Sequence, residues 1–202
     1  MTAAPGPPPA PASSTHRATG AVQIIFTETK LAGAYLIEPE LLRDERGFFS
    51  RMWCQREFAL RGLRAGFVQG NLSYSARAGT LRGMHYQVAP DAEIKLVRCT
   101  RGSIYDVIVD LRPASPTYTE WSAAELSAAN HLVLYVPEGF AHGYLTLEND
   151  TEVSYEVSQF YRPGSERGLR YDDPAFGIAW PIGVEVVSEK DRSWSTFEAK
   201  EA

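Results

Sequence analysis

Ser103-Ile-Tyr-Asp-Val-Ile-Val-Asp-Leu111 is the stretch on which the fold turns. In an extended chain Tyr105, Val107, Val109 and Leu111 share one face, and Asp106 and Asp110 fall on the other, because successive strand side chains point to opposite sides. The same texture continues outward through Leu132 to Val136, Gly143 to Leu147 and Glu152 to Val157. From Val22 onward, short runs rich in Val, Ile, Leu, Tyr and Thr are punctuated by Gly, Pro and Asn-Asp turn signals. That pattern specifies an all-β antiparallel sandwich or barrel. Only Gln55 to Arg61, closed by Gly62, reads as a short helix. No internal repeat of fixed period is present.

The 202 residues are enough for one domain with a core of its own. Residues 1–20 hold five of the thirteen prolines and almost nothing that could be buried, so they read as a disordered arm, His16 included, ahead of a single domain over 21–202. A formal charge of -5 argues against a general binder of nucleic acid or membrane surfaces, which needs a basic field. No apolar run is long enough to cross a bilayer and no secretion signal is visible, so a cytoplasmic location is expected. Cys54 and Cys99 lack the spacing of a zinc or redox site and read as free thiols.

Two histidines stand beside glycine-containing turns, His85 in Gly79-Thr-Leu-Arg-Gly-Met-His-Tyr-Gln87 and His142 in Pro137-Glu-Gly-Phe-Ala-His142. A lone strand histidine is more often structural than reactive, but this arrangement resembles the two motifs of the cupin superfamily, small β-barrels often built around a metal. Such a site needs about four converging nitrogen or carboxylate ligands. Here Gln87 and Lys95 occupy positions where ligands would be wanted. An amide is a poor ligand for a transition metal and an ammonium repels a cation, so no metal or other cofactor is expected.

Arg46, Arg82 and Lys95 fall in the motif-bearing segments of an acidic chain. Guanidinium groups at a cavity mouth suit a diphosphate, since each gives two parallel hydrogen bonds to phosphate oxygens. Arg82 precedes His85 by three residues, which in a regular strand puts the two on opposite faces; either Gly83 marks a bulge or they do not share a pocket. Tyr155 lies with Val153 and Val157 on an apolar strand face, so its ring is expected inside the barrel with its hydroxyl in need of a partner.

Several ordered segments go beyond the cupin pattern: Asp44-Glu-Arg-Gly-Phe-Phe49, Thr80-Leu-Arg-Gly-Met-His-Tyr-Gln87, Lys95-Leu-Val-Arg98, Val136-Pro-Glu-Gly-Phe-Ala-His-Gly143, Ser165-Glu-Arg-Gly168, Asp172-Asp-Pro174, Trp180-Pro181 and Ser188-Glu-Lys-Asp191. Together, from about Phe26 to Trp194, they resemble the dTDP-4-dehydrorhamnose 3,5-epimerase family. The resemblance implies a cofactor-independent cupin-type jelly-roll barrel that forms a homodimer, with strands exchanged near the active site, and a nucleotide-diphosphate sugar as substrate. It implies His85 as general base, Asp191 as the carboxylate that orients it, Tyr155 as the acid on the opposite face of the sugar, and Lys95 as stabiliser of the enolate oxygen. It also implies substrate contacts by Arg46, Gln69, Asn71, Arg82, His142, Tyr161 and Glu166, with Arg46 and Glu166 on the nucleotide side.

The chemistry fits these residue types. A proton beside a ketone is removed more easily when the developing oxyanion meets a fixed cation. Histidine titrates near neutral pH, and a carboxylate at its other nitrogen fixes the tautomer. The chain departs from the family pattern at Leu72, where a pocket-side histidine is usual, and at Ser50, Arg51 and Ile94. A metal-dependent cupin oxygenase or isomerase, and a non-catalytic nucleotide-sugar binding protein, are the alternatives; bound metal, or ligand binding without hydrogen exchange, would distinguish them.

Overall fold

A computed structural model describes residues 23–198; the arm expected over residues 1–20 lies outside the described residues. The first sheet runs, in spatial order, β1 (Ile24–Glu28), β2 (Tyr35–Pro39), β10 (Val133–Val136), β7 (Lys95–Arg101), β12 (Thr151–Val157) and β5 (Gln69–Ser75). The second runs β13 (Glu166–Gly168), β6 (Thr80–Gln87), β11 (Phe140–Thr146), β8 (Ser103–Asp110) and β9 (Trp121–Ser127), with β14 (Val186–Val187) joining β6 in parallel. All other pairings are antiparallel, and β3 (Leu42–Asp44) and β4 (Gly47–Phe49) form a separate hairpin. Among the described residues there are two helices, α1 (Gln55–Ala59) and α2 (Glu189–Arg192). This is the expected all-β, jelly-roll type of architecture.

The sheets pack face to face over Val97, Ile104, Ile108, Leu134, Phe140 and Val153, which come from both. A second cluster covers the outer face of the first sheet, where Phe58 of α1 is fully buried and meets Phe26 and Tyr135 edge-on at ring separations of 5.1 and 5.8 Å. Cys54, at the helix N-terminus, makes no side-chain cap. The short helix therefore depends on that burial, worth about 2 kcal/mol for a ring of this size. It ends at Ala59, and Gly62 turns the chain away with φ +71°.

A third cluster explains the strand that opened the reading. Val107 and Val109 face outward, but Leu169 and Phe176 of the later chain cover them. Asp106 and Asp110 share the inward face with Ile104 and Ile108, and both carboxylates are fully buried. Asp110 is well partnered there. It accepts from Arg112 Nε at 2.8 Å, Arg112 Nη2 at 2.7 Å, Ser115 Oγ at 2.5 Å and Thr117 Oγ1 at 2.7 Å. Burial alone would raise its carboxyl pKa, but these hydrogen bonds prevail and hold it down to about 2.

Candidate active site

The site is built around a bulge in β6. Across the ladder from β11, His142 pairs with His85 and Tyr144 with Arg82, so three residues of β6 span two of β11. The extra residue returns Arg82 and His85 to the same side, which resolves their odd spacing in favour of the bulge. Glycine is required on both strands at this point. Gly83 has φ +137°, and a Cβ on it would lie 2.5 Å from Gly143 Cα. A Cβ on Gly143 would lie 2.6 Å from Met84 Sδ.

His85 Nε2 lies 2.6 Å from Asp191 Oδ1. Asp191 is carried by α2, whose N-cap Ser188 accepts from the Asp191 backbone N–H at 3.1 Å, and β14 anchors the approach to that helix against β6. Burial pushes the Asp191 carboxyl up. The His85 contact and the Gly83 N–H, 3.4 Å from Oδ2, outweigh that and leave it below the ordinary carboxylate range. Asp191 therefore stays ionised beside the ring.

Two adjoining recesses of about 440 and 450 Å³ share His85, Lys95, Tyr155 and Lys190 in their walls. The first also holds Gln69, Asn71, Tyr161 and Glu166, and the second Arg82, His142 and Asp191. Ten of the eleven residues singled out in the sequence thus meet in one place. Arg46 does not. It sits in the β3–β4 hairpin with its side chain 85% exposed and paired to Asp44.

Lys95 Nζ donates to the His85 carbonyl at 3.2 Å and lies 3.3 Å from Glu93 Oε1, so its ammonium is held beside the histidine strand. The Tyr155 ring packs against the inter-sheet core, and no hydrogen bond engages its hydroxyl among the described residues. Burial, reinforced by the nearby Glu93 charge and opposed by Arg82, raises the Tyr155 phenol and keeps it protonated. Arg82 stands at the mouth, donating to Ser75 Oγ at 3.2 Å and the Tyr74 carbonyl at 2.9 Å. Gln87 braces a loop, donating to the carbonyls of Asp91 and Phe160 and accepting from Arg162 N–H. Among the described residues no cluster of three or more His, Cys, Asp or Glu side chains is placed to hold a metal ion.

With that geometry in place, the comparisons with known proteins are unambiguous. The profile of the dTDP-4-dehydrorhamnose 3,5-epimerase family matches residues 28–199. The chain belongs to that family. A dTDP-4-dehydrorhamnose 3,5-epimerase of Sinorhizobium fredii is 48% identical over 172 residues, covering 85% of this chain and 88% of the relative. The crystal structure of the Bacillus anthracis dTDP-4-dehydrorhamnose 3,5-epimerase with TDP and pyrophosphate bound superposes with a TM-score of 0.84 at 43% identity, covering 87% of this chain and 100% of that one. The Legionella pneumophila epimerase in complex with dTDP-4-keto-L-rhamnose gives a TM-score of 0.80 at 36% identity, covering 86% and 93%. As a dTDP-4-dehydrorhamnose 3,5-epimerase family member the chain is an isomerase, an epimerase of dTDP-linked 4-keto-6-deoxy sugars.

Three of the departures from the epimerase pattern lie outside the recesses. Leu72 is not on the pocket side: Gln69, Asn71 and Ser73 line the recesses, while Leu72 alternates with them and is 68% exposed. Ile94 belongs to the cluster around Phe58 rather than to the substrate region. Arg51 pairs with Glu57 of α1 at 2.7 Å, likewise away from the recesses. Conversely, sequence reasoning missed Lys190, which bonds Glu166 at 2.6 and 2.7 Å, and Tyr144, whose hydroxyl lies 2.6 Å from Ser73 Oγ. The available signals were the adjacency of Lys190 to Asp191 and the even spacing of Tyr144 from His142.

Proposed function

We propose that His85 removes a proton from the carbons flanking the 4-ketone of a dTDP-4-keto-6-deoxy sugar, and that Tyr155 returns a proton to the opposite face. Asp191 holds the His85 ring and supports the imidazolium that forms. The Lys95 ammonium stabilises the enolate oxygen. The observation that carries this reading is the 2.6 Å His85–Asp191 contact in a wall shared with Lys95 and Tyr155. Raised by burial, the Tyr155 phenol is suited to give up a proton only to a strong base such as an enolate. Arg82 and Lys190 supply positive charge for the diphosphate, and Gln69, Asn71, Tyr161, Glu166 and His142 contact the substrate around it.

The same reading includes a homodimer working in the cytoplasm. The β3–β4 hairpin leaves Leu42, Phe48 and Phe49 exposed at 42%, 46% and 65%, an apolar surface suited to burial against a second copy. Arg46 on that hairpin then serves the nucleotide side of its partner's recess. In deuterated water, substrate carbons beside the ketone are expected to acquire deuterium, with the rate falling about 1,000-fold in His85→Asn. Exchange at an undiminished rate in that variant would overturn the assignment of the base.

A further inference from the structure

The inward face of β8 carries four side chains, Ile104, Asp106, Ile108 and Asp110, and one of them is out of place. The two isoleucines are core, and Asp110 is saturated with donors. Asp106 is as deeply buried but has a single partner. Its Oδ1 lies 2.6 Å from His142 Nε2, and Oδ2 has no hydrogen-bond partner among the described residues. A buried carboxylate so poorly satisfied is a costly choice where an aliphatic side chain would pack. What it does accomplish is to orient one ring.

His142 stands directly across the ladder from His85 and lines the same recess. A neutral imidazole that donates Nε2–H to a carboxylate presents its other nitrogen, Nδ1, as a bare acceptor. That nitrogen of His142 has no partner among the described residues. We propose that Asp106 is a positioning residue that fixes His142 as the Nε2–H tautomer, so that Nδ1 accepts a hydrogen bond from a hydroxyl of the sugar ring.

This rests on the reading of the recess as a keto-sugar site and adds a specificity device to it. A bare acceptor welcomes a hydroxyl and repels a carbonyl oxygen, whereas the Lys95 ammonium does the opposite work of drawing the carbonyl. The two side chains together disfavour a sugar bound with its ketone turned toward β11.

The test combines ¹⁵N NMR of ring-labelled histidine with turnover of the parent keto sugar and its 2-deoxy and 3-deoxy analogues, following deuterium entry at C5, which all three share. In the unmodified protein His142 is expected to show the Nε2–H tautomer, and kcat/KM to fall about tenfold on one of the two deoxy sugars. Asp106→Leu is expected to lose the tautomer preference and about tenfold in kcat/KM on the parent sugar, and to lose nothing further on that one analogue. An Nδ1–H ring in the unmodified protein, or an equal variant penalty on all three sugars, would overturn the proposal. If Asp106→Leu does not fold, the tautomer and the deoxy-sugar comparison in the unmodified protein decide alone. Absence of C5 exchange with every sugar in the unmodified protein would instead speak against His85 as base, and leaves the tautomer measurement valid.

Discussion

The two histidine–carboxylate pairs of the recess have the same 2.6 Å contact and opposite construction. In the His85–Asp191 pair the ring is 31% exposed and the carboxylate arrives on a capped four-residue helix. In the His142–Asp106 pair both members lie on adjacent strands, 8% and 0% exposed. A sheet fixes a side chain by its ladder and permits little adjustment, which suits orientation of a substrate. A carboxylate on a separate peripheral helix leaves room around its ring for a proton to come and go. Similar hydrogen-bond geometry thus serves different ends according to what holds the acid.

The sharpest way to break that comparison is Asp191→Asn. Because the Ser188 cap accepts from the backbone rather than the carboxylate, α2 is expected to survive while deuterium exchange falls about 100-fold. Tyr155→Phe separates removal of the proton from its return: exchange is expected to persist while net inversion, followed by NMR of the product, falls about 100-fold.

Asp110 offers a purely structural contrast to both pairs. Its folded carboxyl is depressed to about 2, so its stabilisation is present above the ordinary value of 3.8 and is lost as pH falls toward 2. Melting curves of Asp110→Asn are expected to show about 2 kcal/mol lower stability at neutral pH, with the gap to the unmodified protein closing in acid. The smallest effect is expected from Ser188→Ala, about 1 kcal/mol in the local stability of α2, read as faster amide exchange at Asp191 and a few-fold loss of turnover.

Much of this was legible in the residues. Period-two runs gave the antiparallel sheets, and the ordered motifs brought ten side chains to one pair of recesses. What alternation does not reveal is which face of a strand looks inward when both are covered. Val107 and Val109 resemble core residues and lie under the later chain, while the acidic face is the true interior. The same ambiguity put Leu72 on the pocket side, since one step along β5 reverses a side chain. Arg46 illustrates a different gap. A motif names a residue without saying whether the fold brings it to the recess, and Arg46 stands on a hairpin away from it, paired to Asp44.

The contact between His85 and Asp191 joins residues 106 positions apart. On a ribosome the proposed base is therefore made well before the carboxylate that holds it, and the nascent barrel carries an imidazole with no carboxylate at its back. On the proposed reading, reactivity toward a keto sugar must wait for α2, which lies late in the chain, to dock against β6.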